Sequence, residues 1–151
     1  MQTRREMLTH SATVAGLLAA AGLLPTPAQA AWPQAAFESK TMADAVKALG
    51  GGAPAESKDV TITGPDIAEN GAVVPVEVTS AIPGTTSIAI IAEKNGTPLI
   101  GNFNLSGGTE GFISTRIKMG QTSLVRAVVN AGGKSYTAAK EVKVTIGGCG
   151  G

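Results

Sequence analysis

The chain is 151 residues long, with 12 Lys plus Arg against 11 Asp plus Glu, one His, one Cys, one Trp, one Tyr and three Phe. That is chain enough for one domain of near-neutral charge. With no basic block and no aromatic platform, it excludes nucleic-acid binding as a principal activity.

The first thirty residues read as an export signal. Thr3-Arg4-Arg5-Glu6-Met7-Leu8 gives a charged start, an Ala/Gly/Leu run occupies 11–24, and Pro25-Thr26-Pro27-Ala28-Gln29-Ala30 closes on an Ala-x-Ala site. The apolar run is shorter than the roughly 18 to 20 residues of a membrane-spanning helix, so no permanent membrane anchor is expected. The paired Arg4 and Arg5 point to the twin-arginine route and so to folded export into the periplasm. Cleavage after Ala30 would remove two cations, one carboxylate (Glu6) and His10, leaving ten cations against ten carboxylates and no imidazole. A lead-in over 31–54 then carries one short helix. Thr41-Met42-Ala43-Asp44 has capping-box spacing, Met42, Val46 and Leu49 share a helical face, and Gly50-Gly51-Gly52 supplies the stop.

From about residue 55 to 146 the apolar period becomes two. Strands are expected near 60–63, 72–79, 87–92, 99–105, 112–119, 123–130 and 134–146. Val74, Val76 and Val78 alternate with Pro75, Glu77 and Thr79, and Val142, Val144 and Ile146 with Lys143 and Thr145, so each strand has one buried face. Asn70-Gly71 and Asn95-Gly96 offer positive-φ turn positions, and Asn130-Ala131-Gly132-Gly133 can close a hairpin. Pro75 cannot donate to a ladder, which predicts an edge strand or a bulge there. Seven strands without helices between them predict an all-β, immunoglobulin-like antiparallel β-sandwich. With a single Cys it lacks an inter-sheet disulfide.

The last five residues, 147–151, hold the chemistry. Gly147 and Gly148 precede Cys149, and Gly150 and Gly151 follow it, so the thiol has no neighbouring β-carbons and sits on a thin, flexible arm. At about 3.3 to 3.6 Å per extended residue, such an arm projects its sulfur roughly 10 Å beyond Ile146. An unpaired Cys in an oxidising compartment is a free reactive thiol, an intermolecular bridge or an adduct. The nearest cation in sequence, Lys143, is six residues back, so the thiol lacks a built-in activator. An unactivated thiol on a glycine arm suits a handle better than a catalyst; catalysis then belongs to whatever site the arm enters.

Elsewhere the chemistry is thin. Gly132-Gly133-Lys134-Ser135 lacks the first glycine of a phosphate loop, because Val128 stands in its place. Asp66 and Glu69 flank an expected loop without His or Cys and read as solvated surface, so no metal site is expected. Arg116, Lys118 and Arg126 are expected to share a sheet face as cross-strand charge, with an anion or partner surface as the alternative.

The Gly-Gly-Cys-Gly-Gly ending, joined to a twin-arginine signal and an all-β body, resembles the SoxY family, the sulfur-carrier subunits of the bacterial thiosulfate-oxidising Sox complex. The resemblance extends to Ile67-Ala68-Glu69-Asn70-Gly71-Ala72-Val73-Val74-Pro75-Val76, to Glu93-Lys94-Asn95 with Pro98-Leu99, and to Ser114-Thr115-Arg116-Ile117-Lys118-Met119. Asn95-Gly96 stands where the family pattern has Asn-Pro. The resemblance implies that Cys149 covalently holds thiosulfate-oxidation intermediates while the glycines let the arm swing, with no turnover and no cofactor in this subunit. It also implies a SoxZ-like partner in a heterodimer. Three enzymes would act on the arm: a c-type cytochrome, a metal-dependent sulfate-releasing hydrolase and a molybdenum-haem sulfane dehydrogenase. The competing reading is an exported structural sandwich that uses Cys149 for an intermolecular disulfide.

Overall fold

In the computed structural model the described residues are 32–146, together with Thr13. The chain divides into two compact units, Met1–Trp32 and Pro33–Gly151; within the first, Thr13 is helical. Apart from Thr13, the expected signal over 1–30 lies outside the described residues, as does the arm over 147–151.

The second unit opens with two short helices, α1 (Gln34–Phe37) and α2 (Met42–Ala48). As the sequence predicts, Thr41 is the N-cap of α2: its hydroxyl accepts the Asp44 N–H at 3.1 Å and donates to the Asp44 carboxylate at 2.7 Å. The stop is equally direct, with Gly50 at φ 77° and the Gly51 N–H returning to the Val46 carbonyl at 3.0 Å. The sequence reading missed α1, a single turn with no side-chain cap.

Nine strands follow: β1 (Ala55–Glu56), β2 (Val60–Thr63), β3 (Ile67–Ala68), β4 (Val74–Ser80), β5 (Thr85–Ala92), β6 (Leu99–Asn104), β7 (Phe112–Ile117), β8 (Ser123–Ala131) and β9 (Lys134–Val144). The larger sheet runs β1-β9-β8-β5-β6, with β3 also on β9; the smaller runs β2-β4-β7. The seven longer strands pair antiparallel and build the expected immunoglobulin-like sandwich. The two-residue strands β1 and β3 depart from it, pairing parallel to opposite ends of β9. They cover two short stretches, at Tyr136–Thr137 and Lys143–Val144, of an edge that would otherwise stand unpaired.

Between the sheets lies the main core. Val74, Val76 and Val78 of β4 meet Ile88 and Ile90 of β5, Val125 and Val129 of β8, and Val142 of β9. Each of the larger aliphatic side chains contributes about 1.5 to 3 kcal/mol by leaving water. A second cluster lies on the opposite face of β5. There Ala36, Ala45 and Val46 from the helices cover Ala89, Ile91, Leu99 and Val128. Burial on both faces explains why β5 reads as a continuous apolar run from Ile88 to Ala92 instead of alternating. A register shift between Ile90 and Ile91 pairs Gly101 with the first and Leu99 with the second. The bulged Ile100 thus places Leu99 under the helices.

Three turn expectations resolve differently. Gly132 and Gly133 close the β8–β9 hairpin at φ 56° and 74°, a type I′ turn, so Lys134 and Ser135 belong to a strand and not to a phosphate loop. Gly71 and Gly96, however, are absent from the positive-φ glycines. The asparagines before them act through their side chains: Asn70 Oδ1 accepts the Ala72 N–H at 2.8 Å, and Asn95 bridges two loops. Pro75 lies neither on an edge strand nor at a bulge, since β4 is the middle strand and its register with β7 is continuous. The Ser80 N–H donates to Gly111 on the β7 side and the Ala81 N–H to Asp59 on the β2 side, so Pro75 turns its nitrogen toward β2. That strand ends at the Thr63–Glu77 pair, and no ladder bond is lost.

Candidate functional site

Cys149, Gly147, Gly148, Gly150 and Gly151 lie outside the described residues. What the structure describes is the root from which they continue. Strand β9 ends at Val144, whose N–H donates to the Thr122 hydroxyl at 2.9 Å. The Thr145 N–H donates to the Ala68 carbonyl at 3.1 Å, and its hydroxyl to the Glu69 carbonyl at 3.1 Å. The Ile146 carbonyl accepts the Gly71 N–H at 2.8 Å, while the Gly71 carbonyl accepts the Met119 N–H at 2.7 Å. The chain is thus gripped up to Ile146 by β3, by the turn at 69–72 and by the 118–122 loop.

Two consequences follow for the chemistry. The root is anchored by backbone geometry, so a tail leaving it starts from a fixed point. Around that point the side chains of Ile67, Val73 and Ile146 are exposed, and Ile146 is 69% accessible.

Asp66 and Glu69 flank β3, not an open loop, and Asp66 takes part in holding it. Its carbonyl accepts the Lys143 N–H at 2.9 Å, and its carboxylate pairs with Lys140 at 2.5 Å. The hydrogen bond from Lys140, and then its charge, hold the Asp66 carboxyl below its ordinary value of 3.8. Among the described residues, no three or more His, Cys, Asp or Glu gather as a metal-binding group.

The expected basic trio is divided. Arg126 belongs to β8 of the larger sheet and is paired with Glu93 at 2.7 Å. Arg116 and Lys118 instead line a cleft of about 690 Å³, joined there by Lys94 and Lys40, which sequence reasoning did not place with them. Among the described residues, no carboxylate lines this cleft. The four cations come from three separate segments, Lys40, Lys94 and the Arg116–Lys118 stretch, and no spacing in the sequence could announce that the first two join the third. Asn95 was the one available signal, as a turn residue whose amide ties the loop holding Lys94 to the loop holding Lys118. Its Nδ2 donates to the Lys118 carbonyl at 2.8 Å and its Oδ1 accepts the Gly120 N–H at 3.1 Å.

Comparison with known proteins assigns this architecture. The family profile described as sulfur oxidation protein SoxY matches residues 45–149, from within α2 through the cysteine. The chain belongs to the SoxY family. Among solved structures, it is similar to the sulfur carrier protein SoxY from Chlorobium limicola f thiosulfatophilum, at 44% identity and a TM-score of 0.62. That similarity covers 68% of this chain and 94% of that one. The human F-spondin reeler domain is also similar, at 11% identity and a TM-score of 0.43, covering 63% of this chain and 94% of that one. No curated protein matches. The SoxY match takes in the end of α2 and the sandwich, so Ala45, Val46 and the face of β5 that they cover fall within the matched region, while α1 lies before it.

Proposed function

We propose that this chain is a non-catalytic sulfur carrier that holds thiosulfate-oxidation intermediates covalently on Cys149 Sγ and presents them to partner enzymes. The observation that carries this reading is the SoxY family match running through residue 149, where the only cysteine of the chain stands between paired glycines. The sulfur carrier name of the 44% identical structure supports it.

In this reading the Cys149 thiolate and thiosulfate couple through a new S–S bond, and two electrons pass to a c-type cytochrome partner. Water then attacks the terminal sulfone sulfur at a metal-dependent hydrolase; sulfate and two protons leave, and a persulfide stays on Sγ. A molybdenum-haem dehydrogenase oxidises that sulfane sulfur with three waters, releasing six electrons and six protons. A second hydrolysis frees sulfate and restores the thiolate. The chain contributes the attachment atom, and Gly147, Gly148, Gly150 and Gly151 carry no β-carbon to obstruct entry into a narrow pocket. A SoxZ-like subunit accompanies it, and the twin-arginine signal delivers the folded pair to the periplasm. Each enzyme must then bind a carrier whose tail starts from the same fixed root, which suits sequential delivery to several active sites.

Replacing Cys149 by Ser tests the attachment atom. The expected result is complete loss of thiosulfate-dependent loading with unchanged partner binding by co-purification. Loading of the Cys149→Ser chain would contradict the reading.

A further inference from the structure

The cleft between the sheet edges carries an inference that goes beyond carriage on Cys149. Strands β6 and β7 are terminal strands of the two sheets, and the cleft lies between Leu99 and Ile100 of one and Arg116 and Ile117 of the other. Lys40, Lys94, Arg116 and Lys118 surround it, and all four are exposed. Among the described residues, none of the four forms an ion pair. Lys40 has only a 3.4 Å contact to the Gly96 carbonyl. In a chain with 12 cations and 11 carboxylates, four cations facing one opening with no acid among the described lining residues is a local charge asymmetry.

The backbone beneath these charges is held in place. Asn95 clamps the 118–120 segment through both ends of its amide, and Gln121 Nε2 donates to the Lys94 carbonyl at 3.1 Å. The Lys94 N–H donates to Ser123 Oγ at 3.0 Å. The two cationic loops are therefore fixed relative to each other, and an anionic partner need not order them on binding.

We propose that this cleft docks an acidic, extended segment of a partner protein. An opening of about 690 Å³ with four cations from three segments is much larger than a single oxyanion requires, and its charges are spread along it. A segment bearing several carboxylates matches that spread, and the adjoining edges of β6 and β7 offer main-chain groups to an extended chain. Fixed positive charge in a cleft also accelerates encounter with an acidic surface in a salt-dependent way. Where Cys149 carries substrate, as proposed above, the position has a use: the 118–122 loop that walls the cleft also holds Val144 at the root of the tail. The charge complementarity stands without that use.

The test measures binding of a fluorescein-labelled decapeptide of alternating Glu and Ala to the full chain with Cys149 reduced, by anisotropy at low and moderate salt. The expected result is saturable one-to-one binding, weakened at least tenfold by Lys94→Glu with Arg116→Glu. The same charge change at the exposed sites Lys58 and Lys134, each replaced by Glu, should alter affinity less than twofold. Lys118→Gln is a milder variant and should weaken binding measurably with an unchanged melting temperature. Equal losses in the two double variants, or no saturable binding, would overturn the proposal. Displacement of the peptide by sulfate beyond that by chloride of equal ionic strength would overturn it too, because the site would then be one for a free oxyanion.

Discussion

Thr122 carries the end of β9 on one hydroxyl, which accepts the Val144 N–H at 2.9 Å. Thr122→Val keeps the shape and removes the acceptor, leaving a part-buried N–H unpaired at a cost of about 1 to 3 kcal/mol. We expect faster amide exchange at Val144 and a lower urea midpoint, with Thr122→Ser restoring both; unchanged exchange at Val144 would contradict this role. Asp66 acts at the same root through charge. Its carboxyl is held below 3.8 by Lys140, so the pair contributes above that value and loses its contribution as pH falls through the lowered one. The side chain is 88% accessible, which keeps the effect small. Asp66→Asn should remove that part of the acid dependence, read as a smaller drop in urea midpoint below pH 3.8; an identical acid limb would show that Lys140 does not stabilise the fold through this pair.

At the scale of elements, α2 is held by side chains, not by its own length. Seven residues are too few for a helix to persist alone, and Ala45 and Val46 are buried against Ile91, Leu99 and Val128. Val46→Asp would bury an unpaired carboxylate, and we expect release of the helix, seen as rapid proteolytic cleavage within 49–54 while the sandwich core stays resistant. Resistance equal to that of the unaltered chain would contradict the packing. The cap at Thr41, the glycine stop and the Gly132-Gly133 hairpin were legible because each depends on neighbouring residues alone. Strands β1 and β3 were not, because two residues carry no period; their pairing is decided by the exposed edge of β9. Pro75 shows the same limit. Its missing N–H and the 60–63 strand were both readable, whereas the register that pairs Thr63 with Glu77 and leaves Pro75 beyond the end of β2 was set by tertiary packing.

At the scale of the whole molecule, the sandwich is a base that fixes where a tail begins. The Val74-Val76-Val78 alternation announced one sheet face and the core behind it. The basic cleft was illegible, since its four cations meet only after both sheets have formed, and Arg126, grouped with two of them by sequence, is neutralised by Glu93 on the other sheet. The chemistry expected of the tail lies in five consecutive residues outside the described ones, so that reading rests on the sequence. The most direct test of the account is intact-mass spectrometry of the protein after thiosulfate exposure with its native partners, before and after reductant, with peptide mapping of the tail. The account predicts substrate-dependent, reducible sulfur and thiosulfonate adducts confined to Cys149. A tail that stays free, or that forms only a disulfide dimer with or without thiosulfate, would contradict it.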